Sequence, residues 1–319
     1  MAISFRLIGA LRPSNQVTQA TRSPIKHTAV SPLLLVLGAA ILWSTGGLFI
    51  KATSLSAFEL SFGRSLLAVI TIAIVTRHEG FGLNRVSAIA AVLYAALLIL
   101  FVVATKLTTA ANAIFLQYTA PVYVLILEPV FYKEKFRQRD LLTVMVCVAG
   151  MSLFFVGKLR PQDVEGNLVA LASGVCFALY FLLLRHAKAR DVNRASSAIY
   201  GNLIAVVVCA PAFFGAMRRG ISPTDFACIA YLGIIQIGVA YLLFTSAMAR
   251  GLRSLNASIV GYIEPVLNPI WVFLLLGERP SNWAIVGGAI IIASVLAHIL
   301  VDAKAKGRHG SVAEMPPHE

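Results

Sequence analysis

Along this chain, apolar residues come in long, nearly unbroken runs, and polar residues gather in short knots between them. Ten runs are legible, at about 33–50, 56–76, 86–105, 109–131 and 140–157, then 167–184, 196–217, 226–248, 254–276 and 283–301. Each is roughly 18 to 24 residues long, the length a helix needs to cross about 30 Å of hydrocarbon. None alternates with the period of two that a barrel strand requires. In lipid only helices and closed barrels satisfy their own backbone. The pattern therefore predicts an all-α polytopic membrane protein with ten transmembrane helices.

The two halves of the pattern are related. Residues Ala110 to Arg139 and Ser254 to Trp283 share the spacing N-A-x4-Y-x2-P-x12-E. An offset of 144 places Asn112 on Asn256, Ala113 on Ala257, Tyr118 on Tyr262, Pro121 on Pro265 and Glu134 on Glu278. Each copy puts a proline, Pro121 or Pro265, in the middle of an apolar run, where it interrupts the helix. The expected organisation is a basic tail at 1–32, a first five-helix repeat at 33–157, a linker at 158–166, a second five-helix repeat at 167–301, and a second tail at 302–319. Five is odd, so the second repeat enters the membrane from the opposite side, and the repeats are inverted. Inverted repeats place a shared site near the midplane, often at broken helices.

Composition narrows the class further. The chain is 58% hydrophobic and 13% charged, against about 25% charged in an ordinary soluble domain. A net charge of +13 would suit nucleic acid, but the cations sit in short loops and tails with no compact domain to present them. They fit positive-inside topology instead. With the N-terminus inside, Lys and Arg outside the spans divide 19 to 7 in favour of the inner segments. Both termini are therefore expected in the cytoplasm. Residues 1–32 are Arg-rich and acid-free, which describes a cytoplasmic tail first and an organelle transit peptide second. Cys147, Cys176, Cys209 and Cys228 lie in or beside apolar runs without metal-ligand spacing. No disulfide, metal or cofactor is expected.

Candidate chemistry follows from polar residues at membrane depth. Glu264 lies 11 residues beyond Arg253, about 16 Å along a helix and near the bilayer centre. A charged side chain there costs roughly 2.5 to 3.5 kcal/mol. It would bind substrate or a proton, or else bond the backbone of its own broken helix. Gly261, Glu264, Asn268 and Trp271 are spaced as one helical face and would form a polar cavity wall, or else a packing face with a small residue for close approach. The matching positions Gln117, Ala120, Val124 and Leu127 are less polar, so the site should be weighted to the second half. Arg64 is the other deep charge, expected either to anchor a carboxylate or to pair with Glu264 or Glu59. Its counterpart in the second repeat is Asn202. Trp43, with Ser44 and Thr45, then Tyr180, Gln236 and Tyr241 complete the candidates, with packing as the alternative for each. His298 reads as structural or interfacial, and Glu134 and Glu278 as helix caps. The small residues of VGGAIIIAS in span 10 serve internal packing or a homodimer contact. No phosphate loop, HExxH motif or nucleophile set appears, so no enzymatic activity is expected.

The stretch YIEPVLNPIWVFLLLGERPSNWAIVGGAIIIASVLA closely resembles the EamA-type repeat of the drug/metabolite transporter superfamily. The resemblance rests on Glu264-Pro265 in mid-helix, the Leu276-Gly277-Glu278 turn and the small-residue final helix, and it extends over about 33–301. The first half matches more loosely, keeping Pro121 and Glu134. The resemblance implies a ten-span carrier of two inverted repeats around a central cavity, with binding roles for Glu264, Trp43 and Arg64. It also implies small-molecule transport by alternating access in an inner or plasma membrane, with efflux of amino acids or related amphipathic metabolites as the first expectation. A sugar or nucleotide-sugar exchanger and a non-transporting sensor or subunit are the alternatives. The expected partners are a small-molecule substrate and the lipid bilayer.

Overall fold

In the computed structural model the described residues are 30–133, 137–156, 163–276 and 281–313, and they are almost entirely helical. Taken in chain order, the spans are α1 (Pro32–Ala52), α2 (Ala57–Glu79), α3 (Arg85–Leu107) and α4 (Ala110–Tyr132). Next come α5 (Gln138–Ser152), α6 (Val164–Arg185), α7 (Ser196–Arg219), α8 (Pro223–Ala249) and α9 (Ser254–Leu275). The last is α10 (Asn282–Ala313). Among the described residues, nine helices are long and apolar enough to cross a membrane. The fifth expected span is the shorter α5, extended by a 3-10 turn at Leu153–Phe155. Glu134 and Glu278, read as caps, lie outside the described residues.

The helices begin where short polar residues cap them. Ser56 and Glu59 form a reciprocal capping box at α2, and Asn84 and Ser87 form another at α3. Ser222 Oγ accepts from Asp225 N at 3.1 Å at the start of α8. The outward faces carry large apolar side chains such as Val130, Leu142, Val207 and Leu274, each more than 60% exposed. In water that surface would be an aggregation hazard. Against acyl chains it is the expected one.

Three spans are interrupted. In α1 the break falls at Ser44 and Thr45, between helices Pro32–Trp43 and Gly46–Ala52. In α4 it falls at Tyr118 and Thr119, and in α9 at Tyr262. Pro121 is not itself at its break. It sits in the first turn of the helix that follows, as Pro265 does, where the missing N–H costs nothing. In α8, Tyr231–Val239 winds as a π-helix, a form concentrated at functional positions.

Equivalent spans pack in equivalent ways. α3 runs along α6 as α1 runs along α8, α4 lies against α6 as α9 lies against α1, and α2 crosses α7. Small residues let these crossings close up. A Cβ on Gly233 of α8 would lie 2.6 Å from Arg64 O of α2, and one on Gly174 of α6 would lie 2.8 Å from Gln117 O. In α10, Gly287 meets Gly150 of α5 backbone to backbone. At least part of the small-residue stripe in span 10 thus serves internal packing.

At the end of the bundle where α4 stops and α9 begins, a cluster of charged and titratable side chains meets. Arg253 donates from Nε to Glu128 Oε2 at 2.8 Å and from Nη1 to Asp140 Oδ2 at 2.6 Å. Arg185 Nη1 donates to Glu128 Oε1 at 3.0 Å. His298 hydrogen-bonds Asn256 Oδ1 at 3.2 Å and lies 3.9 Å from Asp140, so its role is structural, as expected. Glu128 and Asp140 are fully buried. The cluster joins α4 and α5 to α6, α9 and α10. Removing one partner leaves uncompensated buried charge, which costs about 3 to 5 kcal/mol. Arg253→Ala should therefore lower the thermal unfolding temperature in detergent sharply. An Arg253→Ala variant that melts with the wild type would show that the cluster holds nothing together.

Candidate functional site

The middle of the bundle is aromatic. The Trp43 ring lies 4.8 Å from Tyr241, 5.3 Å from Phe244 and 6.0 Å from Phe177. Tyr94 meets Tyr241 edge-on at 4.6 Å and Tyr180 at 5.1 Å. Amphipathic rings of this kind give a buried site both apolar area and a polar tip.

Within this layer a narrow cavity brings together residues from six spans. Trp43 comes from α1, Arg64 from α2, Leu97, Leu98 and Phe101 from α3, Gln117 from α4, Gln236, Ile237 and Tyr241 from α8, and Glu264 from α9. The room inside is about 30 Å³, space for about two water molecules. The cavity is narrow and only partly enclosed.

Local breaks aim the polar members. Gln117 ends the first helix of α4, and Glu264 is the second residue of the second helix of α9. Gln236 projects from the π-helical stretch. A Cβ on Gly46, just past the break in α1, would lie 2.7 Å from Gln236 Nε2, so a glycine there gives the amide its place.

Arg64 and Glu264 are 1% and 4% exposed, yet they do not pair with each other. Arg64 Nη2 donates to Leu98 O at 2.8 Å. Glu264 Oε2 accepts from Tyr118 Oη at 2.6 Å. Glu59 pairs instead with Arg219. The ion pair considered for Arg64, with either glutamate, is therefore absent among the described residues. Glu264 is held by a side chain and not by the backbone of its own helix. Arg64 Nε, Trp43 Nε1 and Gln236 Oε1 are buried without a hydrogen-bond partner among the described residues. Such groups cost free energy unless something meets them. Gln117 Nε2 is already engaged with Ser173 Oγ at 2.8 Å.

The remaining candidates lie outside the cavity lining. Asn268 Nδ2 donates to Ser44 O at 3.2 Å, and Trp271 Nε1 donates to Ser44 Oγ at 2.7 Å. Both act on the break in α1. Gly261 packs against Tyr118. Tyr180 lies behind Tyr94 and reaches Ser197 Oγ at 3.4 Å. Asn202 donates to Ala198 O at 2.8 Å and to Tyr94 Oη at 3.3 Å. Sequence reasoning did not single out Glu128, Asp140 or the break in α1. The signals were present: Glu128-Pro129 interrupts an apolar run as Glu264-Pro265 does, and Trp43-Ser44-Thr45-Gly46-Gly47 clusters turn-forming residues.

If Asn268 and Trp271 act on the break in α1, Ser44→Ala should lower stability by about 1 to 3 kcal/mol. It should leave the substrate selectivity ratio unchanged. A changed ratio at unchanged stability would put Ser44 in the binding surface.

Comparison with known proteins places this architecture. The EamA-like transporter family model matches twice, over residues 30–156 and 164–300. An uncharacterized transporter of Bacillus subtilis, YwfM, is 27% identical over 88% of this chain and 97% of its own. A pseudopaline exporter, CntI, of Pseudomonas aeruginosa is 26% identical over 84% of this chain and 95% of its own. A probable terminal-alkyne amino-acid exporter of Streptantibioticus cattleyicolor is 27% identical over 62% of this chain and 66% of its own. One solved crystal structure superposes with a TM-score of 0.71 at 18% identity, over 86% of this chain and 98% of that one, a likeness of fold alone. The chain is a multi-pass membrane protein and belongs to the EamA-like transporter family.

Proposed function

We propose that this transporter exports zwitterionic amino acids or related amphipathic metabolites from the cytoplasm by alternating access. The observation that carries the reading is the pair of opposite charges that line one cavity without pairing. A buried Arg and a buried Glu in the same apolar layer would ordinarily neutralise each other. Held apart, they complement a ligand with a carboxylate at one end and an ammonium at the other. Arg64 Nε and Trp43 Nε1 supply unused donors for the carboxylate, and Glu264 and Gln236 Oε1 supply acceptors for the ammonium. Trp43, Phe101 and Tyr241 offer apolar area to a side chain. The names of the amino-acid and pseudopaline exporters among the relatives support export of small metabolites.

The mechanism follows from the repeats. Two matches to one family model and the paired packing of equivalent spans support two five-helix repeats, and their odd span number makes them inverted. Rocking of one repeat against the other would open the small cavity to each side in turn. The distribution of Lys and Arg supports an inner or plasma membrane setting with both termini in the cytoplasm. Nucleotide-sugar exchange is less well supported, since Arg64 is the one cation in the described cavity lining.

Counterflow of labelled amino acids in proteoliposomes containing this chain alone tests the reading. Glu264→Gln should fold and should slow exchange. Arg64→Ala should weaken carboxylate-bearing substrates by about 10- to 100-fold, as for loss of a charge-assisted hydrogen bond, and neutral compounds much less. Equal losses for both classes together with a lower melting temperature would make Arg64 a structural residue. No exchange across the panel would remove amino acids as the substrate class.

A further inference from the structure

The breaks in α4 and α9 face each other across the centre of the protein. Tyr118, at the first break, donates its hydroxyl to Glu264 Oε2, just past the second, at 2.6 Å. Both residues are buried, at 2% and 4% exposure. The tyrosine ring occupies a slot that a glycine leaves open. A Cβ on Gly261 would lie 3.0 Å from Tyr118 Cε1 and 3.3 Å from its hydroxyl. Phe177 stands edge-on to the ring at 6.4 Å, and Tyr262 lies 6.0 Å away.

The internal repeat makes this contact informative. The offset that superposes the copies carries Tyr118 onto Tyr262 and Ala120 onto Glu264. A symmetrical protein would hold two tyrosine–acid contacts, one from each break. Here the second acid is replaced by Ala120, and the Tyr262 hydroxyl is buried without a partner among the described residues. Among the described residues one such contact exists, and it falls on the acid that lines the cavity. The contact also divides the carboxylate. Oε2 takes the Tyr118 hydroxyl, and Oε1 has no protein donor among the described residues.

We infer that Tyr118 is a positioning residue: it holds one oxygen of Glu264, aims the other at the cavity, and so ties what Glu264 binds to the helix break of the opposite repeat. This rests on the reading of Glu264 as the acid that meets substrate or proton. When an ammonium or a proton takes up Oε1, less negative charge remains on Oε2 for the tyrosine hydroxyl. The bond between the repeats weakens as the site fills, and α4 and α9 are freer to part.

Among the described residues, the charged or titratable groups that bond Glu264, line the cavity with it or flank its break are Tyr118 of α4, Arg64 of α2, Tyr241 of α8 and Tyr262 of α9. Of these, Tyr118 is the one hydrogen-bonded to it. Tyr118→Phe keeps the ring and its neighbours and deletes the hydroxyl. The probe is dicyclohexylcarbodiimide, which labels protonated carboxyls in apolar surroundings, with the adduct on Glu264 quantified by mass spectrometry across pH. A hydroxyl that donates to the ionised form favours that form. Its removal should therefore let labelling persist to a pH about one unit higher, a roughly tenfold change in proton affinity. Melting should fall by about a few degrees, as for the loss of one buried hydrogen bond. Should Tyr118→Phe not fold, Gly261→Ala, which presses on the ring and leaves the hydroxyl in place, should move the labelling midpoint the same way by less. In exchange assays Tyr118→Phe should add nothing to Glu264→Gln. An unmoved midpoint, or equal losses from Tyr118→Phe with and without Glu264→Gln, overturns the inference. The reading of the site fails separately, if Glu264→Gln exchanges amino acids as the wild type does.

Discussion

A helix interrupted in hydrocarbon leaves polar backbone where no water can meet it. Every break must then be answered by a side chain, another helix or a ligand. In this transporter the break in α1 is answered by Asn268 and Trp271 of α9, both directed at Ser44. The breaks in α4 and α9 answer each other through Tyr118 and Glu264. Three interruptions thus converge on one layer, and their mutual contacts hold the first repeat to the second. Around the cavity the answer is incomplete. Arg64 Nε, Trp43 Nε1 and Gln236 Oε1 keep hydrogen-bonding capacity that the described protein does not use.

The ends of the bundle are braced by charge. Where α4 stops and α9 begins, Glu128 and Asp140 are matched by Arg253, Arg185 and His298. At the opposite end, Asp225 accepts from Thr53 Oγ1 at 2.6 Å, from Ser54 N at 2.7 Å and from Ser54 Oγ at 2.8 Å. Lys51 and Lys106 donate to the carbonyls of Thr108 and Thr53. Charged clusters brace both ends, while the unused capacity of Arg64, Trp43 and Gln236 borders the central cavity.

Much of the fold was legible because the bilayer imposes a length. Runs of about 18 to 24 apolar residues had one reading, and the family match covers nearly the same range. The break in α1 was harder to see, since no proline marks it. It depends on a serine whose partners lie more than 220 residues away in the chain. The site was legible where a polar group interrupts an apolar run, as at Arg64, Gln236 and Glu264. It was not legible where several polar residues share a helical face. Glu264 and Asn268 are one turn apart, yet one meets the cavity and the other meets α1. Spacing along a helix says which residues point the same way, not which neighbour stands opposite at each depth. The Arg64 partner, the carbonyl of Leu98, had no signal at all, because any backbone oxygen would have read the same.

The account stands on Arg64 and Glu264 holding opposite ends of one ligand. Competition in counterflow measures this directly on the wild-type protein, using an amino acid, the amine formed by its decarboxylation and the acid formed by its deamination. The account predicts that the amino acid competes best and that each truncated analogue is weaker by about tenfold or more, the equivalent of at least one charge-assisted contact. An amine or an acid that competes as well as the intact amino acid would leave one of the two charges without a role and would contradict it.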